Sequence, residues 1–294
     1  IMISLEPKDL SPAKLQAYLQ SAVAPRPIAF ASTMSASGKP NLSPFSFFNI
    51  FSSNPPILIF SPARRVRDNT IKHTLINAEK TREVVINVVN FGIVQQTSLS
   101  STEYAEGVNE FLKSGLTQIP SDIVKPFRVK ESPVQFECKV NEIISLGENG
   151  GAGNLVICEV LKIHIDEKVL DENGMIDQHK IDLVSRMGGN WYSRSNMGMF
   201  EVPKPLTTLG IGVDAIPEEI KKSPIFDGND LGMLGNIEAL PSKEEVSIFV
   251  EQNFKVKGIL SGDDVLKQHQ KAKEYLLNED ILSAWKVLLA EKIS

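Results

Sequence analysis

The sequence predicts a mainly β protein, an antiparallel barrel or sandwich with a helical extension at its C-terminal end. Three observations predict it. Short apolar runs recur with turns between them and few intervening helices, which favours hairpin-connected strands over a parallel sheet. One run, Val134-Gln-Phe-Glu-Cys-Lys-Val-Asn141, alternates between apolar and polar side chains, the period of a strand with one wet face. From about Val202 the strand pattern ends, Pro203, Pro205, Pro217 and Pro224 divide the chain, and helical spacing takes over.

The elements follow in order. Ser11 caps a short opening helix with Pro12 at its first position and Leu15 and Leu19 on one face, so residues 1–20 read as a helical lead-in. Ala24-Pro-Arg-Pro27 stops it, because a residue preceding proline is pushed towards extended conformations. The apolar strand Pro27–Thr33 comes next, then a turn over Ser35–Lys39 and the stretch Asn41-Leu-Ser-Pro-Phe-Ser-Phe-Phe-Asn49. Ile57–Ser61 is a second apolar strand. The stretch between them is too polar for a core strand, since each buried polar group needs a partner. Its alternation of rings, hydroxyls and amides suits a flat apolar ligand with a polar rim. Asp68-Asn-Thr70 is expected to start a helix bearing Ile71, Leu75 and Ala78. Glu83–Val89 reads as a buried strand, and a helix around Val108, Phe111 and Leu112 ends near Gly115. Gly147–Asn154 turns the chain into Leu155–Ile165, an antiparallel hairpin with the alternating strand. A last short strand over Ile181–Ser185 leads into Arg186-Met-Gly-Gly-Asn-Trp-Tyr192. In the extension, Ser242 and Glu245 form a capping box. A helix starts after Ser261-Gly-Asp-Asp264, with Val265, Leu266, His269, Ala272, Tyr275 and Leu276 on its apolar side. Ile281, Leu282, Trp285, Leu288 and Leu289 mark the last amphipathic segment.

Composition narrows the function. No apolar run is long enough to span a membrane, and the N-terminus lacks the basic-then-apolar layout of a signal peptide. Cys138 and Cys158 sit inside strand-like runs and read as buried free thiols, so a reducing, cytoplasmic location is expected. Residues 1–199 hold 20 basic and 20 acidic side chains, and residues 200–294 hold 11 and 16. The net charge of −5 therefore lies in the C-terminal third, and no basic stripe marks a nucleic-acid partner.

Three motifs are set aside. Gly210-Ile-Gly-Val-Asp-Ala215 matches a dinucleotide fingerprint on paper, but no strand precedes it and Pro217 follows. Gly147–Gly153 lacks the Lys-Ser/Thr of a phosphate loop and reads as a hairpin tip. His73, His164, His179 and His269 are scattered, without the spacing of a metal site. Arg64, Arg65 and Arg67 stand better. Guanidinium groups beside a helix start at Asn69-Thr70 suit a phosphate, and a solvated basic loop is the equal alternative.

Pro25-Arg-Pro-Ile28, Asn41-Leu-Ser-Pro-Phe-Ser46, Ser52-Ser-Asn-Pro-Pro56, Asp68-Asn-Thr70, Val85-Ile-Asn87 and Arg186-Met-Gly-Gly189 occur in that order. In this succession the chain resembles the flavin reductase-like family, whose members include flavoredoxin and the reductase components of two-component monooxygenases. The resemblance implies an FMN-binding split barrel, an antiparallel Greek-key barrel, over residues 21–202, with residues 203–294 as an extension outside the family core. It implies a homodimer with FMN near the subunit interface. Asn41, Ser43, Pro44, Phe45, Ser46 and Phe47 would lie along the isoalloxazine ring, with Thr33, Ser46, Ser52 and Ser53 bonding its heteroatoms and the ribityl chain. Arg64, Arg65, Asn69 and Thr70 would hold the phosphate, and Arg186, Gly188 and Tyr192 would lie near the flavin. The expected activity is an NAD(P)H:flavin oxidoreductase, with hydride transfer from NADH or NADPH to flavin N5 and no catalytic side chain. The alternative is a non-enzymatic FMN-binding electron carrier that serves an electron-acceptor protein.

Overall fold

In the computed structural model, which describes residues 2–205, 209–262 and 264–291, the chain divides into two compact units, Ile1–Phe200 and Glu201–Ser294. The first is built on β1 (Ala29–Met34), β2 (Pro40–Phe45), β3 (Phe48–Ser53), β4 (Pro56–Phe60), β5 (Glu83–Val88), β8 (Val134–Ser145) and β9 (Asn154–Ile165). Short strands β6 (Gln118–Ile119) and β7 (Arg128–Val129) pair with each other, as do β10 (Val184–Arg186) and β11 (Tyr192–Arg194). The large sheet runs β2-β1-β5-β8-β9-β4-β3, antiparallel at every step. Its opposite edges, β2 and β3, are joined by Ser46 and Phe47 alone. A flat seven-stranded sheet would separate its edges by roughly 29 Å at ordinary strand spacing, while so short a link spans about 10 Å. The sheet must therefore roll until its edges approach without pairing. That is the split antiparallel barrel implied by the resemblance.

The barrel interior is filled by Ala29, Ala31, Phe45, Leu58, Phe60, Val84, Ile86, Val140 and Val156, with Cys138 and Cys158 as buried free thiols. Helix α2 (His73–Thr81) plugs it through Leu75 and Ala78. A second cluster, Phe30, Leu42, Val89, Phe111 and Val129, lies on the outer face of β1 and β2. There α4 (Glu110–Ser114) covers β2 and α3 (Val94–Leu99) lies beside it. The opening helix α1 (Pro12–Ala22) forms as predicted, with Ser11 accepting from the Lys14 N–H.

Three sequence expectations are corrected here. The helix expected at Asp68–Thr70 begins at His73, with Lys72 at its N-cap. Asp68 instead accepts from both the N–H and the hydroxyl of Thr70, and Asn69 takes a left-handed φ of 57°. That turn cannot propagate into a helix. The polar face of β8 is not all wet: Gln135 and Glu137 are buried. The segment before β8 covers them, and Glu137 accepts the N–H groups of Asp122, Ile123 and Val124. The last short strand begins at Val184, not Ile181, because Asp182 adopts a left-handed φ of 51°.

The second unit is helical: α5 (Glu218–Lys221), α6 (Gly228–Gly235), α7 (Lys243–Gln252), α8 (Phe254–Leu260), α9 (Val265–Leu277) and α10 (Ile281–Leu288). Trp285, Leu234, Val256, Ala272, Leu276 and Val287 form its own core. The Ser242–Glu245 capping box is present, and Asp264 caps α9. Asp263, in the expected start of that helix, lies outside the described residues, as do Leu206–Thr208 and Lys292–Ser294 of the extension. Of the apolar side expected for α9, His269, Ala272 and Leu276 are buried, whereas Val265 and Leu266 in its first turn are exposed. Among the described residues, no helix is long and apolar enough to cross a membrane.

Candidate functional site

The link between β2 and β3 sets the site. The β1–β2 ladder ends at Phe45 and the β3–β4 ladder begins at Phe48, so Ser46 and Phe47 lie outside both. Phe45 turns inward and packs on Phe60, with ring centroids 5.4 Å apart. Phe47 turns out to solvent, and its carbonyl accepts from Ser61 N at 2.8 Å. Pro44–Phe47 form one wall of an open groove of about 400 Å³. Arg64, Arg65, Arg67, Lys72 and Glu103 line it, with Gln16 and Gln20 of α1.

The glycine-rich β8–β9 tip shapes the basic loop. Arg64 N donates to Ala152 O, Gly151 N to Arg64 O, and Asn69 Nδ2 to Glu148 O. A Cβ on Gly150 would stand 3.0 Å from the Arg65 carbonyl oxygen, a tight contact that glycine avoids. The guanidinium of Arg64 grips Asn69 through Nε to Oδ1, 2.7 Å. That of Arg65 donates to Glu103 (2.9 Å), Thr70 Oγ1 (2.8 Å) and Ile71 O (3.0 Å). Arg67 holds Glu103 at 2.7 Å and Asp68 at 3.2 Å. Hydrogen bonds from Arg67 and Arg65 pull the Glu103 carboxyl below its usual range, and those from Thr70 hold Asp68 down at about 2. Both acids are therefore ionised. Four cations stand against these two carboxylates, leaving a surplus of two positive charges. Burial and then Arg65 push the Lys72 ammonium downward, against the pull of Glu103.

The predicted residues fall into four groups. Pro44, Phe45, Ser46, Phe47, Arg64 and Arg65 come together in the groove, where Asn69 and Thr70 shape the arginines. Asn41 and Ser43 line a small adjoining recess with Arg65, Lys72 and Glu103. Behind it Thr33 is fully buried, its hydroxyl accepting from Asn41 and Asn77 at 3.2 and 3.1 Å, while Asn41 also donates to Thr74. The Thr33 hydroxyl is thus consumed in joining β1, β2 and α2. Ser52 and Ser53 stand at the far end of the β3–β4 hairpin, opposite Ile57 and Pro56. That is about 15 Å along the strand from Phe48. They do not lie on a path from Pro44–Phe47 to the basic loop within one protomer. Arg186 and Tyr192 line a different groove, and Gly188 faces α1, where a Cβ would come within 2.3 Å of Ser21 Oγ.

Lys72, Glu103 and Arg26 are site residues the sequence reading missed. Arg26 is buried, and its guanidinium ties three segments together: Val23 O at 2.6 Å and Gln20 O in α1, Met187 O at 2.9 Å, and Ser46 Oγ at 3.4 Å. Its place between Pro25 and Pro27, in one of the motifs that carry the family resemblance, was the available signal.

Elsewhere in the barrel unit, Asp122, Glu137 and His164 bring ligand-type atoms together. They read as an ion-pair network, because Lys162 binds Asp122 and His164 Nε2 meets Glu137 at 2.6 Å.

Barrel, rolled edge and basic groove define a split-barrel flavoprotein class. The chain belongs to the flavin reductase-like family, whose domain model matches residues 21–182. An uncharacterized protein of Aquifex aeolicus is 37% identical over 173 residues, spanning 59% of this chain and 86% of its own. Nitrilotriacetate monooxygenase component B from Bacillus cereus has a similar structure, with TM-score 0.65 and 27% identity over 69% of this chain and 99% of that one. Flavoredoxin of Desulfovibrio vulgaris shares the fold, with TM-score 0.53 and 22% identity over 63% of this chain and 93% of its own.

Proposed function

We propose that this protein is an FMN-binding NAD(P)H:flavin oxidoreductase that works as a homodimer in a reducing, cytoplasmic setting. One observation carries the reading: the groove beside Pro44–Phe47 ends at a basic loop with two surplus positive charges. A phosphate monoester carries about −1.5 to −2 at neutral pH, so FMN fits the groove better than a phosphate-free flavin. Bound FMN would supply the redox chemistry, accepting a hydride at N5 from the nicotinamide. The chain's share is orientation and electrostatics. The Ser46 and Phe47 amides lie outside the ladders and are available to a ring heteroatom that gains negative charge. The buried Arg26 cation behind Ser46 favours the same charge. Arg65 and Lys72 anchor the phosphate end, and no side chain need exchange a proton.

The homodimer reading rests on the edge strand. Ile50 and Phe51 of β3 are 71% and 62% exposed, an apolar edge that a second copy would cover. Ser52 and Ser53 would then meet a flavin from the partner's side. The two buried thiols suit a reducing compartment.

Titration of the purified protein with FMN, followed by anaerobic addition of NADH and then NADPH, tests the proposal. Saturable binding and bleaching of the flavin band by one nucleotide are expected. Binding without bleaching, and without steady-state NAD(P)H oxidation, would establish an electron carrier instead.

A further inference from the structure

A second groove, of about 360 Å³, opens on the barrel unit between α3 and the β10–β11 hairpin, and none of its lining residues lines the first. Two arginine–aromatic stacks form its walls. Arg194 lies 3.9 Å from the Phe91 ring centroid, and Arg186 lies 4.6 Å from that of Tyr192. The two differ in charge. Asp182 grips Arg194 with two 2.7 Å hydrogen bonds and neutralises it. Arg186 donates from one terminal nitrogen to Gly189 O at 2.8 Å. Among the described residues, it has no carboxylate partner. Gln95, Ser98 and Ser193 add amide and hydroxyl groups, and no acidic side chain lines the groove.

This chemistry is specific in kind. An uncompensated guanidinium favours a phosphate, planar stacked faces favour a base, and hydroxyl and amide groups favour a ribose. The volume lies within the usual range of roughly 300–1,000 Å³ for ligand sites. One buried residue, which lines neither groove, bonds to segments of both. Arg26 reaches Ser46 in the first, donates to the Met187 carbonyl beside Arg186, and pairs with Arg186 through backbone hydrogen bonds of 2.9 Å.

We propose that the Arg186–Tyr192 groove binds the adenosine phosphate half of the nicotinamide co-substrate. This rests on the hydride-transfer reading above, and it gives the barrel unit a second handle on the nucleotide. Arg186 would take the phosphate with its free N–H groups, leaving the nicotinamide end free to reach the first groove.

The test uses the full chain loaded with FMN and ADP as the probe, measured by calorimetry, beside FMN affinity from fluorescence. Arg186→Ala and Gln95→Glu are compared. The second variant places a carboxylate on the exposed opposite wall without touching the Arg186 stack, so it answers even where the first disturbs the hairpin. Both are expected to weaken ADP and raise KM for the nicotinamide nucleotide at least tenfold, with FMN affinity within twofold of wild type. Unchanged ADP binding in both variants, or none in wild type, while NADH or NADPH still bleaches the flavin, would overturn the groove and leave the reaction standing. Parallel loss of FMN and ADP in both variants would move Arg186 into the flavin site and also overturn it. ADP binding that both variants abolish, in a protein whose flavin neither nucleotide bleaches, would uphold an adenine-nucleotide groove and refute the hydride reading alone.

Discussion

Replacing Arg65 with alanine tests the proposed phosphate site apart from the rest of the flavin. The Arg65 side chain is 17% exposed and donates to Glu103, Thr70 and Ile71. Its removal lowers the surplus of the basic loop from two charges to one. A hydrogen bond to a charged group contributes about 1.5–3 kcal/mol, so FMN affinity should fall roughly 10- to 150-fold. Riboflavin, which lacks the phosphate, should lose less than about threefold, the residue of any loosening of the loop. Arg67→Ala provides the internal scale. That side chain is 73% exposed and paired with acids in solvent, so solvent screening should leave its loss well below that of Arg65→Ala. Fluorescence titration of FMN and riboflavin against the three proteins reads all of this, and the difference should shrink as salt is raised. Equal losses for FMN and riboflavin would refute the phosphate assignment.

Three further outcomes follow from the packing. Burial alone would raise the Glu137 carboxyl, but the Asp122 N–H, His164 and the Ile123 and Val124 N–H groups outweigh it and hold it at about 2. Its stabilisation is therefore complete above the unfolded value of about 4.3 and is lost as pH falls through about 2, on the order of 3 kcal/mol. Urea unfolding at a series of pH values should show Glu137→Gln less stable by about 2–4 kcal/mol at pH 7, with a flatter acid limb; a variant matching wild type at pH 7 would contradict this. Gly188→Ala should cost about 1–3 kcal/mol through its clash with Ser21, and Ser21→Gly in the same chain should recover most of it in thermal melts. Trp285 is fully buried and donates to Leu234 O at 2.9 Å, so Trp285→Ala should destabilise the helical unit by about 3–5 kcal/mol. Hydrogen exchange should then rise across 209–291 with the barrel strands still protected; uniform loss would refute independent cores.

How much of this was legible depends on whether the signal was local. The strands of the barrel announced themselves because apolar, β-branched runs bounded by turns leave little alternative. The stretch from Asn41 to Phe48 raised the expectation of a site because its polarity conflicted with its flanks. Its polar groups divide in a way no spacing reveals: Asn41 and Thr33 knit β1, β2 and α2 together, and Ser46 faces the groove. Alternation along Val134–Asn141 fixed the strand but not the burial of Glu137, since the covering segment comes from residues 122–124 and binds through its backbone. Glu103 lies 36 residues from Arg67 and carries no local mark of its role. The start of α2 was misplaced because Asp68 bonds Thr70 in a turn instead of capping a helix, and both uses have the same local sequence.

The central claim is that the groove holds FMN and presents it to a nicotinamide nucleotide. Anaerobic absorbance of the protein with FMN, before and after NADH and then NADPH, tests it most directly. A perturbed flavin band on binding, bleached by at least one nucleotide, is expected. A protein that leaves the spectrum of added FMN unchanged and takes up none in titration would contradict it.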